Sequence, residues 1–391
     1  MDRYASALAF LAANKPNRPV LGLRPHAAAR AARWFLDTFP GEVAYAYKAN
    51  NSVFLLGALY GAGIRNFDVA SLPELEDAAT IPGATLHFMH PVKSRPAIRH
   101  AYHEFGVRRF ALDSMDELRK IQDETNHATD LKLFIRLAVP AKNSSIPLER
   151  KFGIAGPDAV ELLQACRQAC DDLGVTFHVG SQTATPDSYV TALQTARKVI
   201  VEAGVVIDAV DVGGGFPARY DAQGPAPLSE FVETIETHFE DMPVSHDCAL
   251  ICEPGRALTA EAESLIVRVD ARRGNELFIN DGAYGGLFDA AHFGFNFPAR
   301  LLREDTPKDA LLEPFILWGP TCDSVDRMDG PFYLPGNVQE GDYIEFGNMG
   351  AYVRAIAGRF NGYGDYDEVI FDDPPMFSMF ESATGHLAQH A

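Results

Sequence analysis

The chain has 391 residues, 47% hydrophobic and 22% charged, a globular balance that excludes both a small single module and a broadly disordered chain. Its 53 acidic residues outnumber 34 basic ones for a net charge of -19, which repels phosphate backbones and anionic lipid and argues against nucleic-acid or membrane-surface binding. No stretch approaches the roughly 18 apolar residues of a membrane span, no signal peptide opens the chain, and five cysteines are too sparse for a secreted disulfide framework, so a cytoplasmic protein is expected.

From about residue 25 to residue 256, short apolar runs alternate with helical patterns, the rhythm of parallel strands joined by crossover helices. The strand-like runs are 43–48, 66–70, 85–89, 109–112, 131–137, 176–179, 209–212 and 249–253. Eight units over about 230 residues suit a (β/α)8 barrel, with an open doubly wound sheet as the competing arrangement. Each run ends in something polar or flexible, among them Lys48, Asp68, His90, Asp113, Arg136, His178, Asp211 and Glu253. A barrel gathers all its strand C-termini at one mouth, whereas an open sheet scatters them, so the barrel is predicted.

After Arg256 the runs 264–269, 276–280, 314–318, 342–346 and 368–371 are separated by Gly, Pro and Asp clusters, which predicts a mostly antiparallel β domain. The predicted division is 1–24 as an N-terminal segment packing with the β domain, 25–258 as the barrel and 259–391 as the β domain. Cys166 and Cys170 lie in an apolar helical run and Cys248 and Cys252 flank a buried-strand pattern, where packing rather than zinc is expected of a free thiol.

Strand alternation over 43–48 places Ala44, Ala46 and Lys48 on one face, leaving room inside the barrel for the lysine at its mouth. Such a lysine is suited either to Schiff-base chemistry or to an ordinary salt bridge at a strand end. Gly213, Gly214 and Gly215 form either an anion-binding turn or merely a tight one. Glu253 shares its strand face with Ile251 and Ala249, so it points inward and needs a cationic partner; Arg256 follows in the late-strand loop, where barrels bind phosphate. His178 reads equally as a working or a core histidine. Cys322, beside Asp323, is suited to donate a proton rather than to redox work. His178, Asp68 and Glu253 could supply three metal ligands, but nothing in their spacing demands a metal.

Taken together, Tyr47-Lys48-Ala49-Asn50, His178-Val179-Gly180-Ser181, Gly213-Gly214-Gly215-Phe216, Glu253-Pro254-Gly255-Arg256, Gly319-Pro320-Thr321-Cys322-Asp323 and Asn348-Met349-Gly350-Ala351-Tyr352 resemble the fold type III pyridoxal 5′-phosphate (PLP) decarboxylases, specifically the ornithine decarboxylase branch. The resemblance runs from about Arg24 to Phe371 and implies an alanine racemase-like barrel. It makes Lys48 the lysine that carries PLP, sets His178 against the pyridine ring and pairs Glu253 with the ring nitrogen. It assigns the phosphate to Ser181, the Gly213–Gly215 turn, Gly255, Arg256 and Tyr352, and places Asp68, Glu74 and Arg136 in the surrounding network. Cys322 becomes the candidate for reprotonating Cα, in the site of a partner subunit, so the resemblance implies a homodimer with shared sites. Lys151 matches a lysine that forms a salt bridge across that dimer.

By the same resemblance Asp289 and Asp323 bind a distal amine, and Phe288 and Phe360 line the substrate pocket. Asp323 after Cys322, and no Arg-Pro motif after Asn280, separate the chain from diaminopimelate decarboxylases. The expected reaction is decarboxylation of L-ornithine to putrescine and CO2 in polyamine synthesis, with some L-lysine activity, since one methylene is worth only about 1–3 kcal/mol in an apolar pocket. The alternatives are diaminopimelate or carboxynorspermidine decarboxylation, or an inactive regulatory homologue. Phe288 stands where the animal enzymes usually carry Tyr, and the chain lacks their long C-terminal tail, which suggests a bacterial enzyme.

Overall fold

A computed structural model of the chain describes residues 1–141, 144–146, 151–303 and 310–380. Eight parallel strands close into a barrel in the order Ala209–Asp211, Ala249–Cys252, Glu42–Ala46, Asn66–Val69, Thr85–Phe88, Arg109–Leu112, Lys132–Arg136 and Asp172–Thr176. Closure is made where Asp211 lies in register with Thr176. Helices such as Pro25–Thr38, Asp187–Ala203 and Leu228–Glu240 wrap the outside, and their small and apolar faces cover the outward strand residues Val43, Tyr45, Phe67 and Val210.

The inward residues stack in layers. At the N-terminal end Glu42 receives Arg109 Nη1 and lies 3.3 Å from His87 Nε2. Above them Met89, Ala111, Phe134, Ala209 and Ile251 form a separate apolar layer. The charged strand ends lie above that layer, so the interior is a filled core capped by a polar mouth.

Two barrel elements differ from the sequence expectation. The sixth strand is Asp172–Thr176, ahead of the 176–179 run, and His178 lies beyond its end. Its aspartate and glycine read as a turn, yet Gly174 is needed in the strand: a Cβ there would fall 2.5 Å from the Phe134 ring. The first strand ends at Ala46, and Lys48 rides on a 3-10 turn, Tyr47–Ala49, instead of continuing the strand. That turn is anchored by the buried Tyr47, whose hydroxyl donates to Asp77.

Among the described residues the second sheet has nine strands and is mixed. Its long strand Glu263–Arg273 pairs antiparallel with Val20–Leu23, Glu276–Ile279 and Tyr343–Phe346. Asp367–Phe371 lies parallel to Val20–Leu23, Glu276–Ile279 lies parallel to Leu312–Trp318, and Arg3–Tyr4 pairs parallel with Asp367–Phe371. Arg327–Pro335, paired with Leu312–Trp318, has no counterpart in the sequence reading, because Gly330 and Pro331 interrupt its alternation. Buried Arg24 joins the N-terminal strand to the sheet through Glu345 at 3.0 Å and Asp373 at 2.8 Å.

The two units meet at the barrel mouth. Tyr352 N donates to Ala49 O at 2.8 Å, Asn50 Nδ2 donates to Gly350 O at 2.8 Å, and Gly350 N donates to Ala260 O at 3.0 Å. The two residues that follow Lys48 are thereby fixed to the 348–352 turn of the sheet.

Candidate active site

A cavity of about 390 Å³ opens at the mouth, walled by Lys48, Asp68, Arg136, His178, Ser181, Glu253, Arg256, Asp289 and Tyr352, with Met89, Ile146, Phe152, Phe293 and Ile356 supplying apolar surface. It narrows to a slot bounded by Lys48, His178, Ser181, Gly214, Gly215, Glu253, Gly255, Arg256 and Tyr352.

Lys48 Nζ stands 2.9 Å from Asp68 Oδ2. Burial opposes the ammonium charge, but Asp68, followed by Tyr352 and Glu253, outweighs it and holds the amine above the ordinary lysine range. Part of the side chain, 40% of its surface, stays open toward the cavity. The amine is therefore stored as an ion pair at the place where it is accessible.

Beneath it, Asp211 and Glu253 share a hydrogen bond, both buried. Burial raises both: Asp211 reaches about 6, and Glu253, further opposed by Asp211 and Asp68, is driven well above the carboxylate range. Gly213 N donates to Asp211 Oδ1 at 2.8 Å, which stabilises the charge on Asp211 and leaves the proton mainly on Glu253. Arg136, at the end of its strand, is half-buried in the cavity wall, and desolvation lowers its affinity for a proton, against Glu253, Asp211 and Asp68.

His178 is kept neutral by burial, reinforced by Arg136 and Lys48. Its Nδ1 accepts from Gly180 N at 3.0 Å, so its proton sits on Nε2. The glycine turn is closely fitted around it: a Cβ on Gly214 would lie 3.1 Å from His178 Nε2, and one on Gly213 would strike Phe177 O at 2.1 Å. Gly213 N is committed to Asp211, so the glycines of this turn that border the slot are Gly214 and Gly215. Gly255 is fitted in the same way against Ala46 and Ala49.

Arg256 donates from Nε to Ser181 Oγ at 3.2 Å, from Nη1 to Tyr220 Oη at 2.9 Å and from Nη2 to Asp289 Oδ2 at 3.3 Å. Its guanidinium also lies about 5.0 Å from the ring centroids of Phe295 and Tyr352. Tyr220 has no counterpart among the residues singled out from the sequence. It follows the glycine turn without any motif, and only the fold brings it to Arg256.

Glu74 accepts from Ala70 N at 2.6 Å, and burial raises its carboxyl; it stands behind the wall. Lys151 lines the cavity, with its ammonium 4.9 Å from the Phe152 ring centroid. Phe288 packs on His292 and Phe293 and does not line the cavity; Phe293 lines it instead. Cys322, Asp323 and Phe360 lie apart from it and near one another: Cys322 N donates to Asn361 Oδ1 at 3.1 Å, Tyr284 Oη donates to Asp323 Oδ2 at 2.6 Å, and the Tyr284 and Phe360 rings are 4.8 Å apart. Both Cys322 and Phe360 are exposed.

The donor set fits PLP. The lysine is within the cavity, the buried Glu253 carboxyl has no salt bridge among the described residues, the buried guanidinium sits with a hydroxyl beside the glycine turn, and a neutral imidazole borders the slot. Among the described residues no group of His, Cys, Asp and Glu is arranged to hold a metal ion, and no helix is long and apolar enough to cross a membrane.

Residues 26–260 match the family described as pyridoxal-dependent decarboxylase, pyridoxal binding domain. The chain is 31% identical over 347 residues to a lysine/ornithine decarboxylase of Selenomonas ruminantium, covering 86% of this chain and 85% of that protein. Among solved structures it resembles the Paramecium bursaria Chlorella virus arginine decarboxylase bound to agmatine, with 28% identity and a TM-score of 0.82 over 93% of this chain and 98% of that one. It also resembles the lysine/ornithine decarboxylase of Vibrio vulnificus complexed with putrescine, with 27% identity and a TM-score of 0.79 over 94% of this chain and 99% of that one.

Proposed function

The chain belongs to the pyridoxal-dependent decarboxylases, and from that premise we propose that it decarboxylates L-ornithine to putrescine and CO2, with L-lysine as a secondary substrate. The observation that carries this reading is the placement of Asp289 on the same cavity as Lys48 and Glu253, where a carboxylate can receive a second ammonium. A distal carboxylate, as in diaminopimelate, would face Asp289 unfavourably.

When bound, PLP supplies an electron sink for the pair left behind as the α-carboxylate departs. Lys48 would hold it, and Asp68 is positioned to take the proton that Lys48 must lose before it becomes a nucleophile. Glu253 would face the ring nitrogen, and the proton it retains in the buried pair is the one that nitrogen requires. Arg256, Ser181, Tyr352 and the glycine turn would hold the phosphate, and His178, which borders the slot, would bear on the ring. Met89, Ile146, Phe152 and Ile356 exclude water from the reacting carbon.

Cys322, Asp323 and Phe360 complete the site of a partner subunit in this reading, with Cys322 returning a proton to Cα and Asp323 joining Asp289 at the distal amine. Their clustering, together with the exposure of Cys322 and Phe360, away from their own cavity supports the homodimer. Five free thiols suit the cytoplasm. The presence of Lys48, Glu253, Arg256 and Cys322 together favours an active enzyme over an inactive regulator.

The test is a panel of ornithine, lysine, arginine, diaminopimelate and carboxynorspermidine with the PLP-saturated protein, measuring CO2 and the amine product. Ornithine is expected to give the highest kcat/KM, and a higher value for diaminopimelate would overturn the reading of Asp289.

A further inference from the structure

We propose that Phe293 sets the length of the amino acid the site admits, acting as a partition between the Lys48 cavity and an adjoining chamber of about 290 Å³. This inference rests on the ornithine reading and deepens it. Phe293 lines both spaces. It follows Asp289 by one helical turn, with Phe293 N donating to Asp289 O at 3.0 Å, so carboxylate and ring look the same way. The residue that receives the distal ammonium and the residue behind it are thus fixed relative to one another.

Two other walls of the chamber are held in place. Tyr220 is tied to Arg256 and packs on Phe295 with ring centroids 5.6 Å apart. Gln182 is bonded on both sides to Ala218, at 2.6 Å through Nε2 and 2.9 Å through Oε1. Phe293 is different: the residue is 45% exposed, among the described residues its ring partner is Phe288 at 6.1 Å and not a ring of the chamber, and Gly294 follows with φ of 67°. The chamber beyond it offers aromatic surface from Tyr220 and Phe295 and one carboxylate, Asp221, whose Oδ1 accepts from Gly224 N at 2.7 Å. Aromatic surface with an acidic group suits a longer cationic side chain, above all a planar guanidinium.

The experiment compares wild type with Phe293→Ala. In the PLP-saturated enzymes the ratio of kcat/KM for arginine to that for ornithine is expected to rise about tenfold or more, with lysine intermediate. By calorimetry, agmatine should bind the variant more tightly relative to putrescine. Ratios within about twofold of wild type in both measurements, in a folded variant, would overturn the proposal. Phe293→Leu, a smaller loss of volume, serves if the alanine variant does not fold and should shift the ratios in the same direction. Wild-type turnover of the panel tests the ornithine reading separately, and diamine binding reports the partition even where turnover of every substrate fails.

Discussion

Arg256 Nη2 and Asp289 Oδ2 stand 3.3 Å apart with both side chains buried, so the proposed phosphate holder and the proposed amine acceptor are one ion pair. A phosphate arriving at Arg256 competes with Asp289, and the carboxylate it releases becomes available to an ammonium. Cofactor binding and substrate selection are thereby linked. Asp289→Asn should move two observables in opposite directions: PLP should bind several-fold more tightly, and KM for ornithine should rise about tenfold or more. Fluorescence titration of PLP and steady-state kinetics check the pair, and weaker PLP binding in this variant would contradict the competition.

Lys48→Ala should abolish the borohydride-trapped pyridoxyl adduct and reduce kcat by about 10³-fold or more. Peptide mapping of the reduced wild-type protein should place that adduct on the peptide containing Lys48. Its appearance on Lys93 or Lys151 would relocate the cofactor.

The proposed shared sites predict complementation. Lys48→Ala and Cys322→Ala homodimers should each be nearly inactive, whereas an equilibrated equal mixture should regain about a quarter of wild-type activity, because half the dimers are mixed and each carries one intact site. No recovery after subunit exchange, verified by mass, would place Cys322 in its own subunit's site or outside catalysis.

Stability should respond to the buried carboxyl of Asp281. Burial pushes it up to about 7, against hydrogen bonds from Gly286, Gly282 and Tyr366. An unfolded aspartate titrates near 3.9, so the folded state retains a proton that the unfolded state releases. The resulting stabilisation is complete below about pH 4 and lost as pH climbs through about 7. Asp281→Asn removes this titration. Its unfolding free energy from urea titration should therefore fall less between pH 5 and pH 8 than that of wild type, by a difference on the order of a few kcal/mol. Equal slopes for the two proteins would assign the proton elsewhere.

Much of the mouth was legible because strand periodicity and motif residues coincide there: Lys48, Asp68, His178, Arg256 and Glu253 all follow or end apolar runs. Geometry that depends on long-range contact was not. The strand Asp172–Thr176 begins ahead of the 176–179 run because nothing in the sequence around Gly174 announces the Phe134 ring across the barrel. Tyr220 reaches Arg256 from a loop with no pattern, and Phe293 rather than Phe288 lines the cavity because the helix Phe288–His292 turns Asp289 and the residue one turn later toward it. The exclusion of Cys322 from its own chain's cavity is likewise a matter of topology, invisible to spacing.

The bonds of Asn50 to Gly350 and of Tyr352 to Ala49 mean that the barrel and the sheet do not behave as exchangeable modules. A chimaera carrying residues 26–260 of this chain on a relative's sheet would inherit the lysine but not the backbone partners that hold its turn. Recombination between homologues should succeed only where the 348–352 segment travels with the barrel, which makes this seam, rather than the linker after Arg256, the natural unit of inheritance.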